Sequence, residues 1–309
     1  MRRALVDALI ELAARDERVV LLTADLGFAF LEAFRDRFPT RFFNVGVAED
    51  NLIGLATGLG ADGFVPFAYT MAAFALPRAF EIVRNGPVAH RLPVRIVGVG
   101  GGFDYGTDGP SHYALDDLAL ARALGEIDVF VPADAIQARD AVQAMSGCAG
   151  PVYLRLGTEL RGVLPIPARA FEPGRIRTLK EGGPRSDVCL LALGPTAFDA
   201  LEAAPLLEAA GIVTTVVAVS SLRPLLVEDI IRVVSGARMV VTLENHAVEG
   251  GLGSLVAEVM AEARLRPRLW RAGVTTRRFA PGRPSYLRAQ LGLDASSLAR
   301  RIGEALREP

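Results

Sequence analysis

The chain has 309 residues, 51% of them hydrophobic and 22% charged, with a formal net charge of -1. That length can bury a large core and suits two domains, while the near-zero charge gives no electrostatic basis for binding nucleic acid or an anionic membrane surface. The strongest apolar runs, residues 19–24 and 188–193, are strand-sized and far short of a membrane span.

The opening Met1-Arg2-Arg3 has a faint look of a signal peptide, but Asp7 and Glu11 interrupt the apolar stretch. Leu5, Ala8, Leu9 and Leu12 fall at helical spacing, so the segment reads as a soluble amphipathic helix. Strand-like runs follow at 19–23, 42–45, 64–68, 94–99, 129–131 and 152–156, separated by alanine-rich helical stretches starting near Ala48, Met71, Leu115 and Asp134. Such alternation, with nearly continuous apolar strands, predicts a parallel sheet covered on both faces. Residues 161–185 break the rhythm with Pro165, Pro167, Pro173 and Pro184, and read as a linker.

A second α/β series has strands at 188–193, 213–219, 239–243 and 269–272, with helices near 197–210, 227–235 and 252–263. Gly211 is placed to cap the first of these helices. The expected fold is therefore α/β, with two successive doubly wound domains of mostly parallel sheets spanning 1–160 and 186–309. The second domain holds few candidate catalytic groups, so packing and assembly are its expected roles. Two cysteines, Cys148 and Cys189, form no CxxC and accompany no histidine cluster, which makes a reducing cytoplasm the default setting. Cys189 sits in an apolar run and reads as a small core residue.

The most informative stretch is Phe43-Asn44-Val45-Gly46-Val47-Ala48-Glu49-Asp50-Asn51, continuing through Leu55-Ala56-Thr57-Gly58-Leu59. It reads as a strand end, a glycine turn and a helix of small and apolar residues buried nearly all round. A carboxylate in the first turn of such a helix has few routes to water, which points to chemistry. Simple complementation of the helix dipole by Glu49 and Asp50 is the plainer alternative.

Further motifs follow in order: Val65-Pro66-Phe67-Ala68-Tyr69-Thr70 with Phe74, Arg78-Ala79-Phe80-Glu81, Tyr105-Gly106-Thr107-Asp108-Gly109-Pro110-Ser111-His112, Val131-Pro132-Ala133-Asp134 and Pro151-Val152-Tyr153-Leu154-Arg155. Glu244-Asn245-His246 and Gly250-Gly251-Leu252-Gly253-Ser254 complete the series. Together they closely resemble the C-terminal portion of the transketolase family of thiamine diphosphate enzymes, over nearly the whole chain. The resemblance implies a pyrimidine-binding domain followed by a transketolase C-terminal-like domain.

In that family a carboxylic acid hydrogen-bonds the cofactor's aminopyrimidine ring, and Glu49 matches that position. The chemistry is sound, because a carboxyl removed from water holds or shares a proton more readily. By the same resemblance Phe74 and Met71 line the pyrimidine pocket, Met71 standing where phenylalanine is common. Ordinary core packing at helical spacing is the alternative for both. Asp25, at the end of the first strand, resembles a residue near the cofactor, or else simply forms a turn.

The resemblance also implies that Asp108 binds a donor hydroxyl and that His112 assists proton transfer, with a capping histidine at a loop–helix junction as the alternative. Arg155 matches an anion-binding position, with a buried structural salt bridge as the alternative. Two departures stand out: Gly100 replaces a substrate-binding histidine, and Tyr113 follows His112 where glutamine is usual. Both put the standard pentose-phosphate substrates in doubt. The glycine-rich loop from Gly100 is no dinucleotide fingerprint, since Phe103 and Tyr105 stand where a third glycine is needed.

The family's Gly-Asp-Gly motif and downstream asparagine, which hold Mg2+ and the diphosphate, have no match here. The resemblance thus implies a split enzyme: a partner N-terminal transketolase subunit supplies the Mg2+ and diphosphate ligands, and the two assemble as α2β2 with the active site between chains. The beta subunit of a thiamine-dependent 2-oxo-acid dehydrogenase is the rival reading, and a non-catalytic scaffold subunit is another.

Overall fold

The computed structural model describes residues 1–159, 161–165, 171–183, 185–276, 278 and 280–307; Pro167 and Pro184 of the expected linker lie outside them. Twelve strands are seen among these residues: β1 (Val19–Thr23), β2 (Phe42–Asn44), β3 (Val65–Met71), β4 (Arg95–Val99), β5 (Asp128–Phe130), β6 (Val152–Leu156), β7 (Ile176–Lys180), β8 (Val188–Leu193), β9 (Thr214–Val219), β10 (Ser221–Arg223), β11 (Met239–Ala247) and β12 (Arg268–Val274).

They form a seven-stranded sheet in the order β10-β5-β6-β4-β3-β1-β2 and a five-stranded sheet in the order β12-β11-β8-β9-β7. All pairings are parallel except β10 with β5 and β7 with β9. The two α/β layers expected from the alternation are present.

Burial explains the long apolar strands. All five residues of β1, β4 and β6 are buried, and all six of β8 and β9. Side chains alternate across β1: Val20 and Leu22 join a core continuous with the second sheet, while Val19 and Leu21 meet Leu5 and Leu9 of the helix Arg2–Arg15. Each such residue contributes about 1.5–3 kcal/mol by leaving water.

Three expectations need correction. The strand β7 lies inside the stretch read as linker, where half-exposed Arg177, Thr178 and Lys180 give no apolar run. The strand β10 follows β9 in the chain yet pairs with β5 of the first sheet, stitching the two layers together. The helix Glu49–Ala61 is not buried all round: Leu52, Ile53 and Ala56 face the core, whereas Asn51, Gly54, Leu55 and Gly58 are exposed. Only one layer covers this helix, so its small outer residues look away from the sheet. Gly211 does close the helix Ala197–Ala209, with a positive φ of 76° and its N–H on the Glu208 carbonyl at 2.9 Å.

Candidate active site

The carboxyl ends of β1, β2 and β3 build one group of side chains. The Asn44 side-chain oxygen accepts from the N–H groups of Asp25 and Gly46, each at 3.0 Å, and its amide donates to Asp25 Oδ1 at 2.9 Å. Asn44 thereby fixes the turn through Gly46, whose φ of 75° suits glycine. The helix Glu49–Ala61 starts immediately after, with Glu49 as its first residue and only 2% exposed.

Two groups satisfy the Glu49 carboxylate. Thr70, buried near the end of β3, donates its hydroxyl to Oε1 at 3.1 Å. Arg78 donates to Oε2 in a charge-assisted bond. The Arg78 guanidinium also lies over the Phe74 ring, 4.4 Å from its centroid. Phe74 in turn meets His112, ring centroids 5.3 Å apart with planes at 72°. His112 Nδ1 is 2.9 Å from Ser111 Oγ. Glu49, Thr70, Arg78, Phe74 and His112 therefore form one continuous chain of contacts at the carboxyl ends of parallel strands, where open α/β sheets place ligand clefts.

Met71 closes β3 beside Thr70 and is half-buried. Asp108 ends a short 3-10 turn (Gly106–Asp108) and is exposed, four residues before His112. Asp25 is exposed and paired with Asn44, holding a φ of 53°. Thr70 opens the segment Thr70–Phe74 that the resemblance places along the pyrimidine pocket, whereas Asn44 and Arg78 have no role foreseen from the sequence. Their signals were present: an asparagine ending an apolar strand, and an arginine four residues beyond Phe74.

The loop after β4 explains both departures. Gly100 has a φ of 83°, and a Cβ there would stand 2.0 Å from Tyr105 Cε2, so the Tyr105 ring fills the space a side chain at 100 would use. A Cβ at Gly102 would meet the Asn245 amide at 2.1 Å, and Asn245 Oδ1 accepts from the Phe103 N–H at 3.3 Å. Tyr113 turns inward instead: it is 7% exposed, packs on Phe103 with centroids 5.0 Å apart, and donates to the Gly106 carbonyl at 3.3 Å.

Arg155 makes the ion pair that was the alternative to anion binding. Its Nε is 3.0 Å from Asp117 Oδ2, and its Nη2 donates to the Ala114 and Asn245 carbonyls at 2.6 and 3.0 Å. Tyr153 donates to the same Asp117 oxygen at 2.7 Å. His246 Nε2 lies 3.9 Å from Asp117 Oδ1, and Glu244 accepts from the N–H groups of Leu252 and Gly253 at 2.8 Å each. Burial pushes the Asp117 carboxyl up, and it pushes Glu244 up to about 7. This buried seam joins the two sheets.

A cleft along it, lined in part by Asp104, Arg161, Asp199 and Arg288, shares no residue with the Glu49 group. Its arginines are paired, Arg161 with Asp199 and Glu202, Arg288 with Glu159. Burial also raises the Asp104 carboxyl to about 6 and the Cys189 thiol to about 12, which suits the inert core role expected of Cys189.

Among the described residues no three His, Cys, Asp or Glu side chains converge as metal ligands, and no helix is long and apolar enough to cross a membrane. A flat heteroaromatic ring with an edge nitrogen fits the Glu49 group: Phe74 offers an aromatic face, and Glu49 a buried carboxyl backed by Thr70.

The models of the transketolase pyrimidine-binding domain and the transketolase C-terminal domain match residues 1–161 and 174–298. The chain is 35% identical to a putative transketolase C-terminal section of Methanocaldococcus jannaschii, over 100% of this chain and 96% of the relative. It is 34% identical to one subunit of an apulose-4-phosphate transketolase of Actinobacillus succinogenes, over 87% of this chain and 86% of that one. A solved split-gene transketolase, described as an inactive beta4 tetramer, superposes with a TM-score of 0.89 at 42% identity, covering 99% of this chain and 97% of that chain. The chain therefore belongs to the transketolase family, of which it carries the pyrimidine-binding and C-terminal domains.

Proposed function

We propose that this chain is the C-terminal subunit of a heteromeric, thiamine diphosphate-dependent transketolase-like enzyme, which moves a two-carbon ketol unit from a ketose donor to an aldehyde acceptor. The carrying observation is the Glu49 carboxyl: 2% exposed, braced by Thr70, and joined through Arg78 to the aromatic face of Phe74.

When bound, thiamine diphosphate supplies a nucleophilic ring carbon and an electron sink. Glu49 would bind the aminopyrimidine edge and share a proton with it, while Phe74 and Met71 pack on the ring and Asp25 stands near its entrance. Asp108, exposed on the loop rim, would hold a donor hydroxyl. His112, whose ring touches Phe74, would move a proton at the donor oxygen. Arg155, paired with Asp117 and donating to the Ala114 and Asn245 carbonyls, would meet a donor anion only from the cleft that it lines.

The diphosphate and Mg2+ are assigned to a partner N-terminal subunit, in an α2β2 assembly within a reducing cytoplasm. An apolar rim beside Glu49 supports a missing neighbour: Val47 is 74% exposed and Leu55 39%. The similar beta4 tetramer is described as inactive, which agrees with a need for a second kind of chain. The Tyr105 ring beside Gly100 favours donors other than the common pentose phosphates, and the apulose-4-phosphate relative suggests a phosphorylated ketose.

The test is to tag this chain in its native host, identify what co-purifies in stoichiometric amount, and assay the complex with ketose donors and with 2-oxo acids. A partner with Gly-Asp-Gly, together with ketol transfer, would support the proposal. Turnover of 2-oxo acids with a lipoyl acceptor, or tight cofactor binding and turnover by this chain alone, would overturn it.

A further inference from the structure

Arg78 makes both contacts that an aminopyrimidine ring needs from this chain. Its guanidinium carbon sits 4.4 Å from the Phe74 centroid, and the same group donates to Glu49 Oε2. A guanidinium and an aminopyrimidine are alike in the features that matter here: both are flat, both present N–H donors along an edge, and both are attracted to an aromatic face. The same ring face and the same carboxylate edge cannot hold the two groups together.

We propose that Arg78 is a positioning residue that occupies Phe74 and Glu49 in the free chain and competes with the aminopyrimidine of thiamine diphosphate for both. The inference rests on reading Glu49 and Phe74 as the pyrimidine site.

Exposure makes the exchange feasible. The Arg78 side chain is 41% exposed, whereas that of Glu49 is 2% exposed. Arg78 can therefore swing its charge into water, provided that another donor takes its place on the buried Glu49. Glu49 has no such exit: with Arg78 gone it keeps only the Thr70 hydroxyl. Seating the ring thus exchanges one flat N–H donor for another on the same carboxylate edge and the same ring face.

The test titrates thiamine diphosphate with Mg2+ into the purified complex and reads affinity by calorimetry. Arg78→Met should bind at least about twofold more tightly than wild type, because nothing then competes for Phe74 and Glu49. Arg78→Lys keeps the charge but loses the flat fork, so it too should bind more tightly than wild type. Unchanged or weaker binding in Arg78→Met would overturn the proposal. A Glu49→Gln complex with wild-type affinity would instead remove the pyrimidine-site reading on which it stands.

Discussion

The Thr70 hydroxyl donates to Glu49 Oε1 at 3.1 Å from strand β3, 21 residues away in sequence. The carboxyl is therefore aimed by β3 as well as by its own helix. Glu49→Gln should lower cofactor-dependent turnover about 100- to 10,000-fold, the usual weight of a positioned acid or base. Its melting temperature should stay close to wild type, since the amide oxygen can still accept from Thr70. Thr70→Val should have a smaller effect, about tenfold, by leaving Oε1 unsatisfied at about 1–3 kcal/mol. Single-turnover rates of the complex with matched thermal scans would check both, and a near-normal rate in Glu49→Gln would sink the assignment.

The Gly100–Tyr105 contact predicts a second effect. Alanine at 100 must adopt a φ of 83° and place its Cβ 2.0 Å from Tyr105 Cε2. The backbone strain alone costs about 1–2 kcal/mol. Gly100→Ala should lower the urea midpoint and raise KM for the donor by displacing the Tyr105 ring. Adding Tyr105→Ala should recover the packing part of the stability loss but not the strain. If the double variant were no more stable than Gly100→Ala, the steric account of this loop would fail.

Much of the fold was legible because its strands are short apolar runs. The observed Val19–Thr23, Val152–Leu156 and Val188–Leu193 coincide with runs readable in the sequence. Strand β7 was not legible, because its half-exposed Arg177, Thr178 and Lys180 belong to an edge strand lying among prolines. Strand β10, three residues long, owes its existence to a distant partner rather than to local pattern. The outer face of the helix Glu49–Ala61 misled for a related reason: glycine, leucine and asparagine there suit a neighbour beyond this chain as well as a core. In the candidate site, Glu49, Phe74 and His112 were readable as candidates from motifs. Arg78, 29 residues from Glu49, and Asp117, 36 residues from Tyr153, meet their partners only once the sheet brings the strand ends together.

Asp117 should prove a structural anchor. Its carboxyl is buried and takes both the Arg155 ion pair at 3.0 Å and the Tyr153 hydroxyl at 2.7 Å. Asp117→Asn should cost about 3–5 kcal/mol, because it leaves the buried Arg155 charge without its partner. Arg155→Met should restore part of that loss in the double variant, a coupling measurable by denaturant unfolding. If Arg155 instead serves mainly to hold a substrate anion, Arg155→Met would raise KM steeply while leaving the unfolding midpoint unchanged.

Glu244 gives the chain a predictable response to pH. Both of its oxygens accept backbone N–H groups at the start of the helix Leu252–Glu262, and Arg155 and Arg271 also favour its charge, yet burial outweighs them and raises the carboxyl to about 7. A carboxyl raised on folding binds its proton more tightly in the folded chain than in the unfolded one. Stability is therefore highest below the ordinary carboxylate range, falls as pH rises from there, and has lost this contribution fully once pH passes about 7. Asp104, raised to about 6, adds a loss of the same sign that ends at lower pH. The Glu244 part amounts to roughly 3 kcal/mol at most. Melting temperature should accordingly decline between about pH 5 and pH 7.5. Glu244→Gln has no proton to lose, so its profile should be flatter across that window, though lower overall because an amide cannot accept both helix N–H groups. Calorimetric scans of the two proteins across this range would decide the matter, and parallel profiles would show that Glu244 is not the group responsible.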